Sequence, residues 1–143
     1  MNKIKASVFF REISGPDIVL RSERGDIDLH AFMSFKELRY SVDRTLVLRW
    51  NTLDSQAVKI KDGFVATVEL VFVGVLKLGV RPRDPEMPFD TDEHLVDFEV
   101  QQRVPIQVAF HFNGGMSIDV CADDAYVELG FETEPAAKAI RAH

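Results

Sequence analysis

The sequence predicts an all-β fold of mostly antiparallel strands, built as a sandwich, a curled sheet or a partial barrel, with a short C-terminal helix. Three observations carry that class. Eleven Phe and many Val and Ile fall in short runs, and these are the residues that fit a pleated, half-buried surface. The runs are punctuated by Gly, Pro, Asn and Asp, which set turns. Within the runs apolar and polar residues alternate, as in Leu38, Tyr40 and Val42, and again in Ile106, Val108, Phe110 and Phe112, the period of a strand with one face buried.

Taken in order, Lys3 to Phe10, Ile18 to Arg21 and Ile27 to Phe32 read as strands, separated by Ser14-Gly15-Pro16 and Arg24-Gly25-Asp26. The next two runs hold Leu38, Tyr40 and Val42, then Leu46, Leu48 and Trp50. Both sets share a face only if the turn has an odd number of residues. Asp43-Arg44-Thr45 is the simplest such turn, and it sets Tyr40 opposite Leu48 and Leu38 opposite Trp50. Val58 and Ile60 form a short edge strand. Phe64 to Val73 is the longest apolar run, and Gly74 marks a bulge or tight turn into a second strand, Val75 to Val80. Three prolines make residues 81 to 88 a loop. Glu134 to Arg141 reads as a short helix with Pro135 in its first turn, or as a frayed tail over 133–143.

The C-terminal meander yields a surface. A five-residue link from Gln101 to Pro105 sets Val100 opposite Ile106 and Phe98 opposite Val108. Asn113-Gly114-Gly115 fits a three-residue hairpin loop that pairs Phe112 with Met116 and Phe110 with Ile118. Asp123-Asp124 is expected as a two-residue turn, because an even loop sets Val120 opposite Val127 and Ile118 opposite Leu129. One face is then apolar. The other carries Asp97, Ala109, Asp119 and Glu128 in one row and Glu99, Gln107, Cys121 and Tyr126 in the next, with His111, Ser117 and Gly130 beyond. Asp119 lands opposite Glu128, and like charges so placed repel unless compensated.

That face admits three readings: a solvated sheet surface, a docking surface for a basic partner, or a metal or acid–base site of His111, Asp119 and Glu128. The solvated surface is the commonest of the three, and if the face does bind, the charge balance favours a cationic partner over an anionic one. Residues 1–80 hold 12 basic and 10 acidic side chains, whereas residues 81–143 hold 5 and 13. An acidic field disfavours nucleic acid and anionic membranes.

The length of 143 residues, 46% hydrophobic and 28% charged, matches one β-rich domain with its own core. No apolar run approaches a membrane span, and the N-terminus lacks the apolar stretch of a secretory signal. Cys121 is the only cysteine, so no intrachain disulfide forms, which fits a reducing cytoplasm. Asp90-Thr91-Asp92-Glu93-His94 is dense in carboxylates but lacks the spacing and glycine of a calcium loop. His30 and His143 have no evident catalytic partners, and Cys121 reads as structural. No phosphate loop, nucleophile elbow or zinc motif is present. Tyr40 and Trp50, which could stack on a sugar, read as core.

The hairpin from Leu38 to Leu48, the run Val68-Glu69-Leu70-Val71-Phe72 with Gly74-Val75 and Leu78, and the closing acidic stretch together resemble small bacterial all-β domains. Some of those are proposed immunity proteins of polymorphic toxin systems. The resemblance implies a binding role and brings no catalytic residues. The expected function is therefore a non-enzymatic, cytoplasmic protein-binding domain that engages a basic partner through Asp97, Glu99, His111, Asp119, Tyr126 and Glu128. No cofactor or metal is expected, and a second copy of the chain is the other partner an uncovered apolar face would admit. A small-molecule or carbohydrate-binding domain and a metal-dependent enzyme are the alternatives.

Overall fold

The computed structural model describes residues 2–5, 17–21, 24–53, 58–86 and 94–132. They form β1 (Asn2–Lys5), β2 (Val19–Leu20), β3 (Ile27–Asp28), β4 (Met33–Ser41), β5 (Thr45–Thr52), β6 (Val58–Ile60), β7 (Gly63–Arg81), β8 (Leu95–Arg103), β9 (Ile106–Phe112) and β10 (Ser117–Phe131). Eight strands make one sheet in the order β4-β5-β7-β10-β9-β8, with β1 on β10 and β6 on β7, while β2 and β3 pair separately. Every pairing is antiparallel.

The all-β class expected from alternation stands, in a sheet that is open, its path ending at β4 and β8. One part of the expectation is corrected. The C-terminal helix is not seen: the described residues hold no helix, and 133–143 lie outside them.

Two long strands organise the sheet. β7 has 19 residues and β10 has 15, and they pair from Arg81 opposite Ser117 to Val65 opposite Phe131. Their neighbours change along the way. Leu46 to Asn51 of β5 pair with Thr67 to Phe72 of β7, and β1 pairs with Tyr126 to Leu129 of β10. At the other end, β9 pairs with Ser117 to Ala122 of β10. The shift of register between Cys121 and Ala122 marks the join of these two halves.

Burial follows the join. Ile118, Val120 and Ala122 are buried on β10, then Ala125, Val127 and Leu129. Because the side-chain period of a strand is two, the change from even to odd numbers marks a bend at which both strands turn their faces together, Asp124 staying opposite Val73 and Ala122 opposite Val75. On β7 the same switch separates Val68, Leu70 and Phe72 from Val75. Gly74 therefore lies at a bend inside one continuous strand, not at a turn between two, and the bulge falls beside it at Leu76.

The bend brings aromatic side chains of the two halves together. Phe35 of β4 stands 4.7 Å from Phe112 of β9 and 5.0 Å from Trp50 of β5, measured between ring centroids. Phe110 of β9 lies 6.0 Å from Trp50, 6.4 Å from Phe72 and 6.0 Å from Phe98. Fully burying such a side chain contributes roughly 1.5–3 kcal/mol, so this cluster holds the halves face to face. The Trp50 indole N–H finds no acceptor there, which offsets part of its gain.

The β4–β5 turn is corrected by one residue. Ser41 pairs with Thr45, so the loop is Val42-Asp43-Arg44, with Arg44 in the left-handed region at φ 66°. Leu38 faces Leu48 and Tyr40 faces Leu46, while Phe35 reaches Trp50 through a bulge before Glu37. The loop stays odd, so the faces do not change. The Arg44 carbonyl accepts a hydrogen bond from the Val75 N–H at 2.9 Å, which docks the hairpin tip beside the bend.

Candidate functional site

The outward face of β7, β10, β9 and β8 is the candidate site, and its geometry follows from three connections. The Asn113-Gly114-Gly115 loop forms as expected: the Phe112 N–H donates to the Met116 carbonyl at 2.9 Å and the Gly115 N–H to the Phe112 carbonyl at 3.1 Å. Gly115 holds a φ of 89°. Phe110 accordingly pairs with Ile118 and Val108 with Val120.

The β8–β9 link differs. β8 runs on to Arg103, which pairs with Ile106, leaving Val104-Pro105 as the turn. An irregularity between Val100 and Gln102 absorbs one residue, so Phe98 faces Phe110 and Val100 faces Val108. The five-residue link was the wrong choice between two loops of different length that conserve the same faces.

The expected turn at Asp123-Asp124 does not exist, because β10 continues straight through it. The parity switch belongs to a bend that β10 and β7 share in register, not to a hairpin loop. As a result Asp119 stands opposite Gly79 of β7, not Glu128. Glu128 stands opposite Glu69 and Lys3, and Tyr126 opposite Val71 and Lys5, in the other half of the sheet. Glu69 in turn faces Arg49. The row therefore runs Arg49, Glu69, Glu128, Lys3, and a basic residue flanks each member of the like-charged pair.

Three rows make up the site. Asp97, His111, Ser117 and Arg81 form the first; Glu99, Ala109, Asp119 and Gly79 the second; Gln102, Gln107, Cys121 and Lys77 the third. Strands lie roughly 4.8 Å apart, so the second row holds Glu99 and Asp119 on either side of one alanine. The structure thus brings together Asp97, Glu99, His111 and Asp119 and excludes Tyr126 and Glu128. Among the described residues, Asp97, Glu99 and Asp119 stand outside the ion pairs that Arg21, Arg24 and Arg39 make. The triad of His111, Asp119 and Glu128 is not assembled, and among the described residues no three His, Cys, Asp or Glu side chains group as metal ligands would.

Sequence reasoning missed Lys77, Gly79 and Arg81. Their alternation with Leu78 and Val80 is visible in the sequence, but nothing local pairs them with β10. Over Gly79 lies a hollow of about 200 Å³ lined by Lys77, Gln107, Asp119, Val120 and Cys121. Its polar rim carries an ammonium on one side and a carboxylate on the other. Cys121 is a half-buried free thiol beside Gln107 and Lys77, not beside Tyr126.

A second hollow, of about 340 Å³, is lined by Val19, Arg21, Asp26, Asp28, Phe32, Val58 and Lys59. Arg21 there is engaged by Asp17 at 3.4 Å and Asp26 at 3.7 Å. Nearby, Arg24 binds Asp62 at 2.7 Å. That hydrogen bond holds the Asp62 carboxyl below its ordinary value and raises Arg24.

Of the remaining candidates, Trp50 is fully buried and Tyr40 is exposed. His30 bonds through Nδ1 to the Leu95 carbonyl. The acidic residues 90–93 and His143 lie outside the described residues, and the His94 carbonyl accepts the Asn113 N–H at 2.9 Å. Among the described residues no helix is long and apolar enough to cross a membrane, a statement that does not bear on strands. Comparison with known proteins finds no matching family, no matching curated protein and no matching solved structure.

Proposed function

We propose that the chain is a non-enzymatic protein-binding domain that engages a basic partner through Asp97, Glu99 and Asp119 on the outward face of β8, β9 and β10. The observation that carries this reading is that three carboxylates share one open face and none forms an ion pair among the described residues. Unpaired surface charges of one sign steer an oppositely charged partner and fix its register. The resemblance to immunity-type domains supports a toxin as one such partner, and the single cysteine supports a cytoplasmic setting.

Charge reversal tests it. A Glu99→Lys/Asp119→Lys double variant keeps the fold, since Asp119 is exposed and Glu99 half-exposed, and it loses a basic partner that wild type captures at low salt. Capture by wild type falls as salt rises, with the Debye length shrinking from ~10 Å at 0.1 M to ~3 Å at 1 M. An unchanged partner with unchanged salt sensitivity defeats the reading.

The hollow over Gly79 favours a second reading, a small-molecule site with opposite charges on its rim. A Cβ on Gly79 meets nothing nearer than the Asp119 Cβ at 4.0 Å. Gly79→Val therefore fills the hollow without breaking the strand, and it abolishes small-molecule binding while leaving a protein partner of the carboxylates in place.

A further inference from the structure

We infer that the free edge of β7 from Leu76 to Arg81 is a strand-addition site for an extended segment of a partner in which acidic and apolar residues alternate. The inference concerns the backbone edge that borders the carboxylate face, where Lys77, Gly79 and Arg81 end its rows, and it does not rest on the basic partner proposed for Asp97, Glu99 and Asp119. Beyond Phe72, where β5 ends its pairing, no described strand lies on that side of β7. Its start is closed by the Arg44 carbonyl on the Val75 N–H. The rest is uncovered: Leu76 is 54% exposed and Val80 48%. A long edge with exposed aliphatic side chains is a template for another strand.

Charge decides which strand. Lys77 and Arg81 are exposed, share the outward face with Gly79, and enter none of the ion pairs of the described chain. Leu78 and Val80 point to the core side, where Leu78 packs partly against the core. An added strand would therefore set carboxylates opposite Lys77 and Arg81, apolar side chains opposite Leu78 and Val80, and an uncharged residue opposite Gly79, whose other neighbour is Asp119. The pattern is the same read in either direction, so strand polarity does not alter the chemistry of the partner. A second copy of this edge fits poorly, because a two-fold at Gly79 sets Lys77 against Arg81 of the other molecule, and like charges opposed across a ladder repel.

The test uses the full chain and a capped synthetic peptide, Glu-Val-Thr-Val-Glu, followed by amide chemical shifts. The expected result is saturable perturbation centred on residues 76–81, absent with a peptide of the same composition in scrambled order. Lys77→Glu/Arg81→Glu should lose that response by at least tenfold in affinity and gain one to Lys-Val-Thr-Val-Lys. No perturbation, or perturbation centred elsewhere, overturns the inference and leaves Lys77 and Arg81 as charges that keep the edge unpaired. Sedimentation of the free chain as a dimer whose 76–81 amides resist hydrogen exchange also overturns it, since the edge is then filled by a second copy.

Discussion

A Cβ on Gly74 would lie 3.0 Å from the Cβ of Asp123, on the strand alongside. Gly74 also holds a φ of 63°, a conformation that costs an L-residue roughly 1–2 kcal/mol. Gly74→Ala combines both penalties at the bend that joins the two halves of the sheet. It should lower stability by about 2 kcal/mol or more, read from the urea midpoint at constant slope. Adding Asp123→Ala should recover the part due to the carboxyl group and leave the backbone part, so the two changes are not additive.

Phe110 sits where both halves meet, against Trp50, Phe72 and Phe98. Phe110→Ala should cost about 3–5 kcal/mol, a large part of the 5–15 kcal/mol typical of a domain. Val42, fully exposed at 102% on the β4–β5 turn, provides the contrast. Val42→Ala should change stability by less than ~0.5 kcal/mol. Equal effects at the two sites, in denaturant unfolding, would contradict the arrangement.

The ion pair of Arg24 and Asp62 gives a pH dependence whose sign is fixed. Asp62 is held below its ordinary value in the folded chain, first by the hydrogen bond from Arg24. Its contribution is then fully present above the unfolded value, about 3.9, and disappears as pH falls through the lower folded value. The stability gap between wild type and Asp62→Asn should therefore be constant near neutrality and close below about pH 4. Both side chains are partly exposed, so the gap should also narrow in 1 M salt.

What the sequence made legible was local. The Asn113-Gly114-Gly115 loop was readable because its glycines and the parity of Phe112 and Met116 agree on one geometry. Asp97, Glu99, His111 and Asp119 were correctly placed on one face because alternation assigns a face whatever the register. Register itself was less accessible. Val100 could face Ile106 or Val108 with the same parity, and the bulge before Gln102 chose the second. The switch from Ala122 to Ala125 has two possible physical causes, a hairpin loop or a bend in a continuing strand, and no residue near Asp123 separates them. That ambiguity put Glu128 beside Asp119 and hid Lys77, Gly79 and Arg81, whose pairing with β10 spans the whole of β8 and β9.

β10 is the seam on which β1, β7 and β9 all converge. During synthesis, the β4–β5 and β8–β9 hairpins can form as they are made, but they remain separate pieces until residue 131 has been added. At roughly 5–20 residues per second, the first strand waits several seconds for the partner that lies opposite it, Tyr126 to Leu129. From their own synthesis until then, Val68, Leu70 and Phe72 lack the strand that will cover one side of them. Joining of the two ends of this sheet is therefore a late event, and the nascent chain is most in need of protection from its neighbours just before β10 is made.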